Sequence, residues 1–189
     1  MEYPNWFEQY AQPNFELVLK DYAGKPDLRF LQIGAFTGDA SKWMLDNILT
    51  DPSSRLVDVD TWEGSDEDVH KAMDFDDVFR TYLAKTGYVN PNRSFNKQTS
   101  AKFFTHQKEE YDFIYIDGDH TASGVLSDAV MGWQCLKSGG IMAFDDYTWI
   151  ADSGLEIDSP RMSIQFFYWA NQKGLDKILD NSQFWVKKK

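Results

Sequence analysis

The fold of this chain is decided by residues 30–39, Phe-Leu-Gln-Ile-Gly-Ala-Phe-Thr-Gly-Asp. A short apolar run ends at Gly34, a second glycine follows at Gly38, and a helical pattern begins at Asp39. This order is typical of a buried parallel strand that passes into a helix at the carboxyl edge of a doubly wound sheet. Because glycine has no Cβ, Gly34 permits a sharp turn and Gly38 permits backbone to approach a ligand closely. The stretch is our candidate for a ligand-binding loop.

The spacing of the two glycines limits the kind of ligand. A dinucleotide fingerprint requires G-x-G-x-x-G and a P-loop requires G-x-x-x-x-G-K-[ST], and neither string occurs in the chain. The pattern is Gly34-x-x-x-Gly38, which is too wide for the pyrophosphate turn and has no lysine for a triphosphate. A nicotinamide-dependent oxidoreductase would share the fold, but this spacing argues against it. The helix that follows still offers unpaired N–H groups and the positive end of its dipole.

A second mark of a nucleotide-type ligand lies at the end of the next strand, Arg-Leu-Val-Asp-Val-Asp at residues 55–60. A carboxylate at the carboxyl end of this strand can accept hydrogen bonds from both hydroxyls of a ribose. Asp60 stands 22 residues after Gly38, which leaves room for one helix between them. Asp58 is the competing acid, but the alternation of side chains along the strand favours Asp60.

At these residues the sequence resembles the class I S-adenosylmethionine-dependent methyltransferases, whose first motif is an apolar strand that ends in acid-x-G-x-x-x-G. Gln32 stands where that family usually has Glu or Asp, and its amide oxygen could still accept from the cofactor's ammonium. The resemblance also implies that the loop after the third strand flanks the adenine. It therefore assigns cofactor contacts to Gln32, Gly34, Ala35, Phe36, Gly38, Asp60, Thr61, Thr99, Ser100 and Asp117.

Four acids follow two later strands of the predicted sheet. Asp117 and Asp119 come after a strongly apolar strand at residues 112–116, and Asp145 and Asp146 come after the strand at 141–144. Because adjacent parallel strands end at one edge, we expect these carboxylates to share the edge that carries the ligand-binding loop. They would repel one another without a cation, a proton or a donor. An oxygen-rich set of this kind suits Mg²⁺, Mn²⁺ or Ca²⁺.

The strings I-D-G-D-H at 116–120 and F-D-D-Y at 144–147 resemble the metal-dependent O-methyltransferases of the macrocin and novobiocin tailoring type. In that group the positions of Asp117, Asp145 and Asp146 ligate the cation, and the position of Asp119 is the general base. His120 is not part of the group's pattern. Two alternatives stay open: a metal-free enzyme that uses His120 as its base, and a structural role in which the acids only cap their loops.

The charge and cysteine content of the chain exclude several classes of binding partner. The chain of 189 residues has 19 basic and 30 acidic side chains, and its net charge of −11 repels phosphate backbones and anionic membranes. Its one cysteine, Cys135, excludes an internal disulfide and suits a reducing compartment. We find no apolar run of membrane-spanning length and no signal peptide. The sequence predicts a cytoplasmic protein that binds neither nucleic acid nor membrane, and it leaves a homo-oligomer open.

The predicted architecture is an α/β fold with a seven-stranded, mostly parallel, doubly wound sheet and an antiparallel carboxyl-terminal hairpin. We expect a single methyltransferase domain over 1–189, in which 1–28 cover the core, 29–147 hold cofactor and metal, and 148–189 form a substrate loop, a helix and the hairpin. Helices are predicted at 14–22, 39–49, 65–85, 122–136 and 160–172.

The function that the resemblance implies is methyl transfer from S-adenosylmethionine to the hydroxyl of a small-molecule acceptor, assisted by Mg²⁺ or another divalent metal ion. Because Gln32 departs from the family pattern, a non-catalytic module that binds S-adenosylmethionine is a further alternative.

Overall fold

In the computed structural model, which describes residues 3–65, 68–151 and 153–189, the seven strands form a mixed, mostly parallel sheet flanked by helices. This Rossmann-like α/β architecture confirms the predicted fold class. The strands are β1 Arg29–Ile33, β2 Arg55–Asp60, β3 Arg93–Lys97, β4 Tyr111–Ile116, β5 Leu136–Phe144, β6 Leu175–Asp180 and β7 Phe184–Lys188. The α-helices are α1 Gln12–Leu19, α2 Asp39–Asn47, α3 Phe75–Thr86, α4 Ser100–His106, α5 Ala122–Cys135 and α6 Pro160–Asn171. No helix in the described part of the chain is long and apolar enough to cross a membrane.

The chain divides into two compact units, Met1–Gln98 and Thr99–Lys189. In the first unit β2 lies between β1 and β3, and both pairings are parallel. The four residues Phe30 to Ile33 of β1 are all buried, as expected for a strand covered on both faces. The carboxyl ends of β1 and β2 lead directly into the ligand-binding loop and its predicted ribose acid.

In the second unit β4 pairs with β5 in parallel, and β7 pairs antiparallel with both β5 and β6. The predicted antiparallel hairpin is therefore confirmed, with β7 as the inner strand. β5 begins at Leu136 rather than at Ile141, so Gly139 and Gly140 lie within the strand and do not end the preceding helix. The helix ends at Cys135.

Two predicted helix starts differ from the structure, and one helix is additional to the prediction. The chain is already helical from Phe7, as a π-helical turn that leads into α1, so Asn14 is a buried helical residue and not an N-cap. The helix predicted from residue 65 begins at Phe75, because the Asp74 carboxylate accepts from two backbone N–H groups and starts α3 there. Residues 66 and 67 of that prediction lie outside the described residues. Helix α4 was not predicted.

Gly38 lies where α3 packs closest to the ligand-binding loop. Its φ of +84° is a left-handed conformation, and a Cβ at this position would lie 2.8 Å from Cδ2 of Tyr82 and 3.0 Å from Cγ2 of Thr86. Both the backbone and the neighbouring helix therefore require glycine. Gly139 has nearly the same φ, +82°, but a Cβ there would meet no atom within 4 Å.

We expect Gly38→Ala to lower the free energy of unfolding by about 2–5 kcal/mol, since the left-handed strain and the overpacking against Tyr82 add together. The matched variant Gly139→Ala carries the strain alone and should cost about 1–2 kcal/mol. Urea unfolding of both variants measures the difference. If both variants lowered the free energy of unfolding equally, the contact between Gly38 and α3 would not contribute to stability.

Asp128 is a buried acid on α5, only 2% exposed. Burial raises the pKa of Asp128 to about 6; a hydrogen bond with Ser100 of α4 opposes this rise, and the negative charge of Asp119 adds to it. The folded protein therefore favours the protonated acid. Protonation of Asp128 adds to the free energy of unfolding. This contribution is complete below the ordinary aspartate pKa and is lost as the pH rises through about 6.

Asp128→Asn keeps the shape of the protonated acid and removes the charge. We expect its stability relative to the wild type to be roughly 1 kcal/mol more favourable at pH 8 than at pH 5. Urea unfolding at the two pH values measures this change. Asp176→Asn, at an exposed side chain of β6, is the control and should show no comparable shift. A pH-independent difference for Asp128→Asn would contradict the assignment.

Candidate functional site

The Asp60 carboxylate holds the ligand-binding loop in shape. Its Oδ2 accepts from the backbone N–H groups of Ala35 at 2.7 Å and Phe36 at 2.9 Å, and its Oδ1 accepts from Trp62 N–H at 2.7 Å. An ionised carboxylate offers about four acceptor positions, so three are filled within the protein. One position on Oδ1 remains for a ribose hydroxyl, and the role of Asp60 as ribose ligand stays a prediction.

Two non-glycine residues beside this carboxylate have left-handed backbone: Phe36 with φ +44° and Trp62 with φ +48°. Such conformations persist only where the surroundings enforce them. Here the Asp60 bonds fix both N–H groups, Trp62 Nε1 donates to the Phe36 carbonyl at 2.9 Å, and the Phe36 ring stacks on Trp6 at 5.1 Å. The loop is thus held by its carboxylate on one side and by aromatic rings on the other.

Gln32 is buried, and both ends of its amide are bonded within the protein. Nε2 donates to the Gly34 carbonyl at 2.7 Å, and Oε1 lies 3.0 Å from the Ser41 hydroxyl. A contact between Gln32 and a cofactor ammonium would have to compete with these bonds. The predicted role of Gln32 as a direct ligand is not tested, but its observed contacts are with the loop itself.

The predicted residues that flank the ribose and adenine have local roles in the structure. The Thr61 hydroxyl accepts from Glu63 N–H at 3.3 Å, and the Thr99 hydroxyl accepts from Lys102 N–H as the N-cap of α4. Ser100 is the first residue of that helix and bonds to Asp128. None of these contacts tests their predicted part in cofactor binding.

In the second unit the structure brings together Asp117, His120 and Asp146. His120 Nε2 lies 3.0 Å from Asp146 Oδ2 and 3.8 Å from Asp117 Oδ1, and one potential ligand atom of each residue lies within 4.8 Å of the others. Asp146 has a left-handed φ of +54° at the second position after β5. We call these three residues the acid–imidazole cluster.

Charge repulsion is strong at the acid–imidazole cluster. Although 29% of the Asp117 side chain is exposed, its carboxylate is shielded from solvent by surrounding protein, and this desolvation raises its pKa well above the ordinary value. The negative charges of Asp145 and Asp146 raise it further, and His120 opposes the rise. A positive charge bound here would therefore be stabilised.

Asp145, the third predicted metal ligand, has its carboxylate bonded elsewhere. Its Oδ2 accepts from the Tyr115 hydroxyl at 2.5 Å, and its Oδ1 accepts from Gln183 Nε2 at 3.1 Å. Burial, together with nearby carboxylates, raises the pKa of Tyr115 well above its ordinary value, so this hydroxyl stays a donor. Sequence reasoning missed both partners, because Tyr115 lies inside an apolar strand and Gln183 lies in the hairpin, 38 residues from Asp145.

Asp119 and His120 face different surroundings, as expected for adjacent loop residues. Asp119 Oδ1 accepts from Thr121 N–H at 2.9 Å, and its Cγ lies 2.3 Å from where a Cβ on Gly124 would be, so the carboxylate rests on the first turn of α5. His120 instead faces the acids, and its ring lies edge-on to Trp149 at 5.6 Å. The predicted base Asp119 and the competing base His120 are therefore placed differently, and only His120 belongs to the cluster.

The chemistry open to the acid–imidazole cluster follows from its atoms. Two carboxylates and an imidazole nitrogen are ligands for a divalent cation, and the imidazole favours Mn²⁺ or another transition metal more than an all-oxygen set would. The same imidazole, oriented by Asp146, is also a general base for a hydroxyl group. Both uses serve a reaction that needs a deprotonated acceptor.

Comparison with known proteins shows a match to a methyltransferase family and to solved methyltransferase structures. Residues 31–147 match the family model described as a methyltransferase domain. No curated protein matches the chain significantly. Among solved structures, an O-methyltransferase from Bacillus cereus in complex with SAH is 17% identical, with a TM-score of 0.59 over 100% of this chain and 93% of that one.

Two further structures show how widely the fold is shared. A putative rRNA-methylase from Clostridium thermocellum is 13% identical, with a TM-score of 0.68 over the whole of both chains. MycE, a methyltransferase from the mycinamycin biosynthetic pathway in complex with Mg, SAH and mycinamycin VI, is 14% identical, with a TM-score of 0.67 over 100% of this chain and 50% of that one. At these identities the likeness shows the fold alone, whereas the family match covers the predicted core. The chain belongs to the methyltransferase domain family, as a class I S-adenosylmethionine-dependent methyltransferase.

Proposed function

We propose that this methyltransferase acts on the hydroxyl of a small-molecule acceptor and that the acid–imidazole cluster activates this hydroxyl. The observation that carries the proposal is the convergence of Asp117, His120 and Asp146 within 4.8 Å of one another. When bound, S-adenosylmethionine supplies a methyl group on a positively charged sulfur. The protein has to bind this cofactor, orient the acceptor and remove the acceptor's proton.

The cofactor-binding loop and its carboxylate are assigned to the first unit. Backbone from Gly34 to Gly38 forms the binding loop, and Asp60 holds that loop and keeps one acceptor position for a ribose hydroxyl. The further contacts proposed from the family resemblance are those of Gln32, Ala35, Phe36, Thr61, Thr99, Ser100 and Asp117. Of these, Gln32 contributes through the loop rather than by direct contact, since it is only 2% exposed and its amide donates to the Gly34 carbonyl.

A divalent cation fits the acid–imidazole cluster. Burial, followed by the negative charges of Asp145 and Asp146, raises the pKa of Asp117, and a bound cation would stabilise its ionised form. Asp117, Asp146 and His120 would hold the ion, whereas Asp145 accepts from Tyr115 and Gln183 and lies outside the cluster. When bound, the cation lowers the pKa of the acceptor hydroxyl. We favour Mn²⁺ over Mg²⁺ because of the imidazole.

A metal-free mechanism is the second candidate, and the 3.0 Å contact between His120 and Asp146 favours it. Here Asp146 orients the imidazole and stabilises its protonated form, and His120 removes the proton of the acceptor hydroxyl. Asp119, the base implied by the family resemblance, lies outside the cluster and accepts from Thr121 N–H through Oδ1. This placement makes Asp119 the weaker candidate.

A small acceptor suits the surroundings of the cluster. The net charge of −11 opposes binding of a polyanion such as RNA. The segment that follows Asp146 presents several apolar side chains, with Trp149 beside His120 and exposed side chains at Ile150, Leu155 and Ile157. We therefore expect an uncharged acceptor with an apolar body.

S-adenosylhomocysteine (SAH), the demethylated product, should bind with 1:1 stoichiometry in calorimetry. Asp60→Asn should weaken this binding about tenfold or more, because the amide replaces one of two oxygens that accept loop N–H groups. Asp46→Asn, at an exposed side chain of α2, is the matched control and should leave the affinity unchanged. Tight NAD binding together with no response to SAH would contradict the cofactor assignment.

Mn²⁺ should raise the melting temperature of the metal-stripped protein, since it binds the folded cluster and not the unfolded chain. Asp117→Asn and His120→Gln should abolish this stabilisation, whereas Asp119→Asn should retain it. Methyl transfer from labelled S-adenosylmethionine to a panel of small hydroxyl compounds should stop with chelator and return with Mn²⁺.

The metal-free mechanism gives a different pattern of results. Turnover would survive exhaustive chelation, no variant would change a metal-dependent melting temperature, and His120→Gln would lower the rate by about 10²–10⁴ as a lost general base does. If Asp119→Asn were the inactive variant and His120→Gln kept its activity, both proposed roles of His120, metal ligand and general base, would be wrong.

A further inference from the structure

A series of buried, hydrogen-bonded polar side chains lies next to the ligand-binding loop, Gly34–Gly38, which is called the cofactor loop from here on. Gln32 of β1 and Asp58 of β2 are register partners on neighbouring strands. The hydroxyl of Ser41, on α2, lies between them, 3.0 Å from Gln32 Oε1 and 3.1 Å from Asp58 Oδ1. All three residues are at most 2% exposed, so their polar atoms depend on one another.

At one end of this series, Gln32 contacts the cofactor loop. Gln32 Nε2 donates to the Gly34 carbonyl at 2.7 Å. The opposite orientation of the amide would place two acceptor oxygens 2.7 Å apart, which is unfavourable. Oε1 therefore faces Ser41 and needs a donor from it.

The other end reaches α3. The Tyr82 hydroxyl lies 2.6 Å from Asp58 Oδ2 and 3.0 Å from Arg93 Nη1. Arginine can only donate, so the Tyr82 hydrogen goes to Asp58 Oδ2. The ring of Tyr82 also packs against Gly38. Both glycines of the cofactor loop thus contact this set of residues.

This series of hydrogen-bonded side chains is one hydrogen short when Asp58 is ionised. Ser41 has one hydroxyl hydrogen, but it faces two acceptors, Gln32 Oε1 and Asp58 Oδ1. With Asp58 ionised, one of these contacts has no hydrogen. A proton on Asp58 Oδ1 completes the series: Asp58 donates to Ser41, Ser41 donates to Gln32, and Gln32 donates to Gly34.

We propose that Asp58 carries a proton on Oδ1 when the cofactor binds, and that Asp58, Ser41 and Gln32 position the cofactor loop through this proton. The inference rests on the proposed role of the Gly34–Gly38 loop in cofactor binding. It makes these side chains positioning residues, which act on the cofactor through the Gly34 carbonyl.

The charged and titratable groups around Asp58 agree with a proton that is held near neutral pH. Burial raises the pKa of Asp58 to about 7, although Tyr82, Ser41 and Arg93 lower it, and the charge of Asp60 on the same strand raises it. When the proton leaves, the Ser41 hydrogen turns to the carboxylate, because a charged acceptor binds it more strongly. Gln32 Oε1 then loses its donor, and the support of the Gly34 carbonyl weakens. Affinity for the cofactor should fall as the pH rises.

Calorimetric titration with SAH between pH 6 and pH 9 tests the proposal. The Kd of the wild-type protein should rise about tenfold relative to that of Asp58→Asn, the cost expected when a buried acceptor loses its donor. In Asp58→Asn the amide Nδ2 donates to Ser41 as the protonated acid does, so its Kd should match the wild type at pH 6. Taking the ratio of the two Kd values at each pH cancels the titration of the SAH amino group itself.

Tyr82→Phe and Asp46→Asn complete the experiment. Tyr82→Phe removes a donor to the carboxylate and should move the rise in Kd to higher pH, a shift that a purely structural role would not produce. Asp46→Asn should follow the wild type at every pH. A constant ratio of wild-type to Asp58→Asn Kd overturns the proposal. If the wild type binds no SAH at any pH, the cofactor assignment itself fails instead.

Discussion

A carboxylate that is taken out of water needs donors or a counter-charge, and both units of this protein are built around that requirement. Asp60 obtains three backbone N–H groups, and these bonds give the cofactor loop its shape. Asp145 obtains the hydroxyl of Tyr115 and the amide of Gln183. In both cases an acid at the end of a strand organises the segment around it, at a free-energy cost that its bonds offset.

The acid–imidazole cluster differs from these sites because its compensation is incomplete. Asp117 and Asp146 share one imidazole, and the pKa of Asp117 stays raised. A site with residual repulsion favours either a bound cation or a proton that moves, and each of these is a means of activating a hydroxyl. The raised pKa of Asp117 thus sets the cluster proposed to act on the acceptor apart from the carboxylates that hold a loop or a strand end in shape.

Much of the fold could be predicted from local patterns. The strand, glycine and helix order around Gly34 and the carboxyl-terminal hairpin both follow from periodicity and turn residues. The start of α3 was placed too early, because the apolar stripe before Phe75 resembles a helix while the cap at Asp74 decides where the helix begins.

The direction of the site's side chains could not be predicted. Asp145 and Asp146 are neighbours in sequence, yet one bonds to Tyr115 and Gln183 and the other to His120. The contacts of Gln32 likewise depend on Ser41 and on a register partner, Asp58, in the next strand. Such contacts join residues that are far apart in sequence, so motif spacing alone carries no information about them.

The hydrogen bonds to Asp60 affect the entropy cost of binding a ligand at this loop. The carboxylate fixes the backbone of residues 35 and 36, and the Phe36 ring stacks on Trp6. The conformational entropy of ordering this backbone, roughly 1–2 kcal/mol per residue, is therefore lost during folding and not during binding. A rigid loop of this kind adapts little to its ligand. Selectivity among adenosyl compounds would then arise from the fixed shape of the loop, and variation in the acceptor would fall to the second unit.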